Sequence, residues 1–380
     1  MTIHPPAGPK AKGLAAVPPA VSERIKIART LCIVFMTFVH VQPGIAENVN
    51  DRDTGFFDII YFILTRIVGL SSVSLLSIVS GYFVVSSLLK AGPQPLAVSK
   101  LKTLVVPLVA WNLVMFMLLV AYGLLSGKWQ DMPDATVVGV ANAFLALTAW
   151  PLDVPLWFLR DLFVCCLFAP LLHVSLKRSA MFTFAVLVLF AVFGEDFYIL
   201  QRPSLILFFA LGMWLRVAGI SEQAVDRVAG WLTLALVVMV AIFLTIRIER
   251  ILLGEIDETL RLTLDTLLRV TVAAGFWRLT EMIRKSPFAG PFVRFEPYAF
   301  FLFCSHAILF NFGGIVFRRF FGNYGSDLFP ITFFTLPALA VVAAIVGLQI
   351  INRSNLLLFL FNAGHRVRPL FEAERQKVSV

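Results

Sequence analysis

With 380 residues, 59% of them hydrophobic and only 14% charged, and a mean hydropathy of +0.87, the chain is too apolar for one soluble core; soluble domains carry about 25% charged residues. Its net charge of +9 sits mostly in short loops and tails. No basic helix is interleaved with aromatics, so the charge points to membrane orientation and argues against a nucleic-acid partner.

Taken in chain order, apolar runs of about 20 residues recur from end to end, the length that crosses a hydrocarbon layer as a helix. Alternating strands of a membrane barrel are not seen. The expected fold is therefore all-α, a polytopic transmembrane helical bundle of about ten spans with both termini cytoplasmic. Residues 1–20, with Pro5, Pro6, Pro18, Pro19, Lys10 and Lys12, read as a disordered cytoplasmic tail and not as a cleaved signal peptide. Spans are expected over residues 25–45, then 57–89 with a tilt or break near Gly69–Ser74, then 103–125, 156–176 and 180–193. Further spans follow over residues 203–217, 231–246, the less apolar 262–283, 298–317 and 329–351. The stretch 136–150 is too short to span and reads as an interfacial or re-entrant helix, as does the region of Phe359–Phe361. The membrane domain is thus placed at 21–352, followed by a cytoplasmic C-terminal tail at 353–380.

Lysines and arginines in short loops set the orientation. Lys10, Lys12, Arg24 and Lys26, then Lys90, Lys100 and Lys102, then Lys177 and Arg178, Arg284 and Lys285, and Arg366, Arg368, Arg375 and Lys377 all fall on one side, read as cytoplasmic. Glu47, Asp51, Asp53, Asp131, Asp134, Glu195 and Asp196 fall on the other. Arg247, Arg250, Arg318 and Arg319 break the pattern. The four cysteines, Cys32, Cys165, Cys166 and Cys304, lie inside apolar runs without metal-type spacing and read as buried small hydrophobes. No metal site is expected. Matched broken helices in two halves, the mark of many transporters, are not seen.

Charges within a bilayer need a partner or a purpose. Arg29 and His40 share one face of the first helix: eleven residues at about 100° each end about 20° past three full turns. They are about 16 Å apart along the axis, with the cation at the inner surface and the imidazole deeper. That stripe suits a long anionic carrier threaded into the membrane. The simpler reading makes Arg29 a snorkelling flank residue and His40 a hydrogen-bonded bundle residue. Arg66 stands among apolar residues with no sequence-local acid and reads as a site residue slightly ahead of a structural ion partner. Trp157, Arg160 and Asp161 read equally as an interfacial anchor with an ion pair or as part of a site. Arg261, Asp265 and Arg269, at i, i+4 and i+8, read as a self-paired stripe. His306 reads as a donor contact or a satisfied bundle histidine. His173 and His365 read as loop or interface residues, and His4 lies in the tail.

Five patches carry a family resemblance. RIKIARTLCIVFMTFVH resembles the opening helix of the acyltransferase family 3 membrane proteins, whose Arg-x10-His motif falls here on Arg29 and His40. LSIVSGYFVVSSLLK resembles the family's Ser-Gly-Tyr segment through Ser80, Gly81 and Tyr82. PLWFLRDLFVCCLFAPLL resembles its Trp-Phe-Leu-Arg helix through Trp157, Phe158, Arg160 and Asp161. FFALGMWLR resembles its Phe-Phe-x-x-Gly segment, and YAFFLFCSHAILF its late helix with a histidine, here His306. Lys26 departs from the pattern, standing where many members have an acid.

The resemblance is to the exopolysaccharide members above all, the succinoglycan succinyltransferases among them. It implies O-acyl transfer from acyl-CoA, succinyl favoured and acetyl possible, to a sugar hydroxyl of an exopolysaccharide or polyprenyl-linked glycan. The setting it implies is a multi-pass protein of the bacterial inner membrane, in contact with membrane lipids and without a permanently bound cofactor. His40 would be the base, since histidine is the usual base near neutral pH. Arg29 and Lys26 would hold CoA phosphates, Arg through its bidentate fork. Arg66 or Arg160 would face a succinyl carboxylate, and Trp157 and His306 would line the substrate site. A glycan or anion transporter or flippase and a non-catalytic scaffold are the competing classes. The scaffold leaves Arg29, His40 and Arg66 without a role.

Overall fold

The computed structural model describes residues 16–41, 56–129, 131–194, 197–248 and 257–368. His4, Lys10, Lys12, Glu47, Asp51, Asp53, Glu195, Asp196, Arg250, Arg375 and Lys377 lie outside them. The described chain is all-helical, with no strand. Its helices are α1 (Pro19–Val39), α2 (Phe56–Ala91), α3 (Pro93–Ser126), α4 (Val137–Leu145), α5 (Val154–Arg178) and α6 (Ala180–Phe193). Then come α7 (Ser204–Val217), α8 (Glu222–Ile248), α9 (Glu258–Arg284), α10 (Ala289–Phe321), α11 (Phe329–Ile351) and α12 (Asn355–Phe361). Six of them, α2, α3, α5, α8, α10 and α11, are long and apolar enough to cross a membrane. They expose leucine, valine and isoleucine outward, including Leu125, Leu171, Val237 and Ile350. An outward apolar face is what a lipid solvent selects. The protein is a multi-pass membrane protein.

α1 is buried among its neighbours. Pro18 and Pro19 start it, where a missing N–H costs nothing, and Ile27, Ala28 and Cys32 are fully buried. It packs on α2, α9, α10 and α11. Its contacts with α10 pair Arg29 with Glu296 and His40 with His306. Both numbers rise together, so the two helices run parallel.

The expected break in the second helix is real and lies slightly earlier. Residues Ile63–Gly69 form a π-helical turn within α2, a distortion frequent at functional sites. Gly69 lets this turn dock on the last turns of α1. A Cβ there would come 2.5 Å from Val39 Cγ2 and 2.9 Å from the Phe35 carbonyl oxygen.

A second close approach joins two of the sequence patches. A Cβ on Gly81 of α2 would lie 1.9 Å from the Phe209 carbonyl oxygen, and one on Gly212 of α7 would lie 1.9 Å from that of Ile78. The Ser-Gly-Tyr and Phe-Phe-x-x-Gly segments are therefore two sides of one contact, in which small residues bring helix backbones together.

The four cysteines are buried and free, as their apolar surroundings predict. After α11 the chain turns back and is held down through residue 368. Trp111 Nε1 donates to the Phe361 carbonyl (3.1 Å), and Asn352 donates to that of Val367 (2.8 Å).

Candidate functional site

α1 ends at His40, whose backbone N–H still donates to the Thr37 carbonyl (3.1 Å). Its half-buried ring meets His306 of α10, with ring centroids 5.1 Å apart and planes tilted by 57°. His306 is fully buried. Its Nδ1 lies 2.8 Å from the Phe303 carbonyl and 3.1 Å from that of Leu302. A carbonyl only accepts, so Nδ1 carries the proton and Nε2 keeps a lone pair. That Nε2 is buried with no hydrogen-bond partner among the described residues. Phe310 and Phe303 flank the ring at 5.6 and 6.4 Å. Two imidazoles in an apolar setting, one with its tautomer fixed, make a unit that can accept and return a proton.

At the other end of the stripe, Arg29 Nη1 donates to Glu296 Oε1 at 2.9 Å, and the guanidinium lies 5.5 Å from the Phe83 ring. The departure at Lys26 thus leaves no gap: the acid facing Arg29 comes from α10, not from α1. The Arg29 side chain is still 40% exposed. Lys26, one turn below, is exposed. The structure therefore shows Arg29 and His40 as two ends of one α1–α10 seam.

The other arginines separate into two kinds. Arg160 is committed to the protein. Its nitrogens reach Asp161 Oδ1 (2.8 Å) and the carbonyls of Leu147 (2.9 Å), Tyr198 (3.3 Å) and Ile199. Asp161, fully buried, also accepts from the backbone N–H of Gln201 (3.0 Å) and Arg202 (2.9 Å). This pair ties two loops to the start of α5, and Trp157 packs edge-on against Trp150 there at 5.9 Å. Arg66, on the π turn, pairs with Asp265 of α9 at 2.7 Å and is 12% exposed. The stripe of Arg261, Asp265 and Arg269 on α9 is thus also joined to α2. Asp265 reaches across to α2 because the π turn brings Arg66 against the same helix face.

Two buried clusters escaped sequence reasoning. Arg24, which reads in sequence as a flank charge, is fully buried. It donates to Glu222 (2.7 Å), to both oxygens of Asp226 (2.8 and 3.0 Å), to Thr280 (3.2 Å) and to the Trp277 carbonyl (2.9 Å). The i, i+4 acids at the start of α8 were its signal in the sequence. Arg247, which breaks the charge pattern, is not a loop charge: its Nε donates to Asp58 Oδ2 at 2.9 Å, and Tyr324 donates to the same carboxylate. Burial, with the Asp58 carboxylate beside it, pushes the Tyr324 phenol well above its usual range, so it stays a donor at neutral pH.

Comparison with known proteins decides the family. The model of the acyltransferase domain, acyltransferase family 3, matches residues 23–353. The chain belongs to this family. It is an acyltransferase of the membrane. The match starts just before Arg24 and takes in both ends of the Arg29–His40 stripe and His306. The chain is also similar to the succinoglycan biosynthesis protein ExoH of Rhizobium meliloti, 26% identical over 345 residues, covering 88% of this chain and 89% of that one. No solved structure matches.

Proposed function

We propose that this acyltransferase moves an acyl group, succinyl in preference to acetyl, from acyl-CoA to a sugar hydroxyl of an exopolysaccharide or a polyprenyl-linked glycan. It does so in the bacterial inner membrane, crossing it about ten times with both termini in the cytoplasm. The single observation that carries the chemistry is the contact of His40 with the tautomer-fixed His306. The similarity to a succinoglycan biosynthesis protein supports a glycan acceptor. The parallel course of α1 and α10 supports an even number of crossings between their corresponding ends.

In this reading His40 is the general base because its ring is half-buried and within reach of a substrate. His306, wholly enclosed, is the positioning residue. A small turn of the His40 ring puts its N–H on the waiting Nε2 of His306 and leaves the other His40 nitrogen as a lone pair for the hydroxyl. The sugar oxygen then attacks the thioester carbonyl while His40 takes its proton. The carbon–sulfur bond breaks, and the imidazolium returns the proton to the departing thiolate. Arg29 and Lys26 receive the CoA phosphates at the inner end, about 16 Å below, using the guanidinium edge that Glu296 leaves open. Trp157 lines the outer entrance beside Trp150.

The test is the acyl ester content of the host polysaccharide, by mass spectrometry, with the wild-type chain, with His40→Ala and without the protein. Ester lost in the last two, with the variant still present in membranes, supports the reading. Ester unchanged without the protein, together with failed glycan export, would make it a translocator.

A further inference from the structure

We propose that Arg66 and Arg269 form an anion subsite between α2 and α9 that reads the free carboxylate of a dicarboxylic acyl group. This rests on the acyl-transfer reading above. The argument starts from charge matching. A guanidinium at membrane depth is heavily penalised without a partner, and Arg24 and Arg160 are held by several acceptors each. Arg24 meets two acids, a hydroxyl and a carbonyl, and Arg160 meets one acid and three carbonyls. The α2–α9 seam is different. Asp265 is bonded to Arg66 Nη2, while Arg66 Nε is buried and has no hydrogen-bond partner among the described residues. Arg269, one turn along α9 from Asp265, makes no hydrogen bond or ion pair among the described residues. It lies within the electrostatic reach of Asp265, Arg66 and Arg202. A single carboxylate shared by Arg66 and Arg269 leaves room for a second.

The position fits the reaction. Phe243 of α8 covers Arg66 at 6.0 Å, which keeps the local dielectric low and strengthens a charge-assisted bond. The π turn that carries Arg66 is docked on Val39 and Phe35 through Gly69, next to the end of α1 where His40 stands. A donor with its thioester at His40 thus has a cationic seam beside it for a distal carboxylate. Asp265 holds Arg66 in place and keeps the pair from collecting any passing anion.

The same carboxylate chemistry could come from an acidic sugar of the acceptor, so the experiment varies both. Purified wild-type protein and Arg269→Gln are given succinyl-CoA and acetyl-CoA in competition, with a neutral or an acidic glycan acceptor, and the two esters are counted by mass spectrometry. The expected result is a succinyl-to-acetyl ratio lower by about tenfold or more in the variant on either acceptor, with acetyl transfer within about twofold of wild type. Arg269→Lys, which keeps the charge, should restore most of the ratio. The ratio is internal to each sample, so a lower yield of folded variant does not move it. An unchanged ratio, or equal loss of both esters, overturns the subsite. A loss that follows the acidic acceptor instead of the succinyl donor overturns it too and moves the anion to the glycan. Wild-type protein that acetylates but does not succinylate sinks this proposal and the succinyl preference with it, and leaves acyl transfer standing. Wild-type protein that forms neither ester sinks the acyl-transfer reading itself.

Discussion

The polar groups at the two ends of the α1 core behave in opposite ways. Around Arg24, every donor has an acceptor, and the acids of α8 and α9 close on it from two sides. Around His40, His306 has a buried nitrogen with no hydrogen-bond partner among the described residues, and Arg66, on the turn docked against the end of α1, has a buried Nε likewise without one. A buried polar group without a partner costs about 1–3 kcal/mol, so these groups add nothing to stability. The Arg24 cluster holds helices together; the open groups at His306 and Arg66 are those we assign to substrate. Composition and hydropathy make these two regions look alike, as charges in apolar helices.

The largest effect expected is at His40. His40→Ala should lower ester formation by about a hundredfold or more, within the range of a lost general base, with normal amounts in the membrane. Near-wild-type ester in that variant removes the catalytic side of the comparison. His306→Ala should also lower turnover, by about tenfold to a hundredfold, while leaving KM for acyl-CoA in place, because it acts through His40. A raised KM with unchanged kcat would instead put His306 against the donor.

Arg24→Ala should do the reverse. It leaves Glu222 and Asp226 without their buried cation, a change worth about 3–5 kcal/mol, to be seen as a lower melting temperature and less protein in membranes. Molecules that remain folded should keep their turnover number. A stable Arg24 variant that is catalytically dead would erase the distinction between the two regions.

Gly81→Ala and Gly212→Ala probe the helix crossing. Each added Cβ would lie 1.9 Å from a backbone oxygen, so α2 and α7 must separate. The expected cost is about 1–3 kcal/mol, as for other overpacked contacts, read in thermal melts in detergent. The smallest effect belongs to Arg29→Lys, which keeps the charge but loses the fork. It should raise KM for acyl-CoA by a few fold and leave kcat nearly unchanged. An unaltered KM would make Arg29 a partner of Glu296 and nothing more.

The family, the helical class and the shared face of Arg29 and His40 were legible in the sequence because each depends on local information. Apolar run length sets a helix in lipid, and helical spacing sets which residues align. The break in α2 was also visible near Gly69, since glycine marks a close backbone approach. What the sequence could not show was pairing between helices far apart in the chain. Arg24 reads as a topology signal until Glu222, Asp226 and Thr280 close around it. Arg160 reads as an ion pair or a site cation alike until the carbonyls of Leu147, Tyr198 and Ile199 arrive from two loops. Asp265 reads as the centre of a stripe on α9 until Arg66 reaches it from a different helix. The sequence by itself thus determined which residues carry charge into the membrane and where along each helix they stand. Only the tertiary structure decided which of those charges are neutralised, because a hydrogen bond depends on a few ångströms between helices that no spacing along one chain segment encodes.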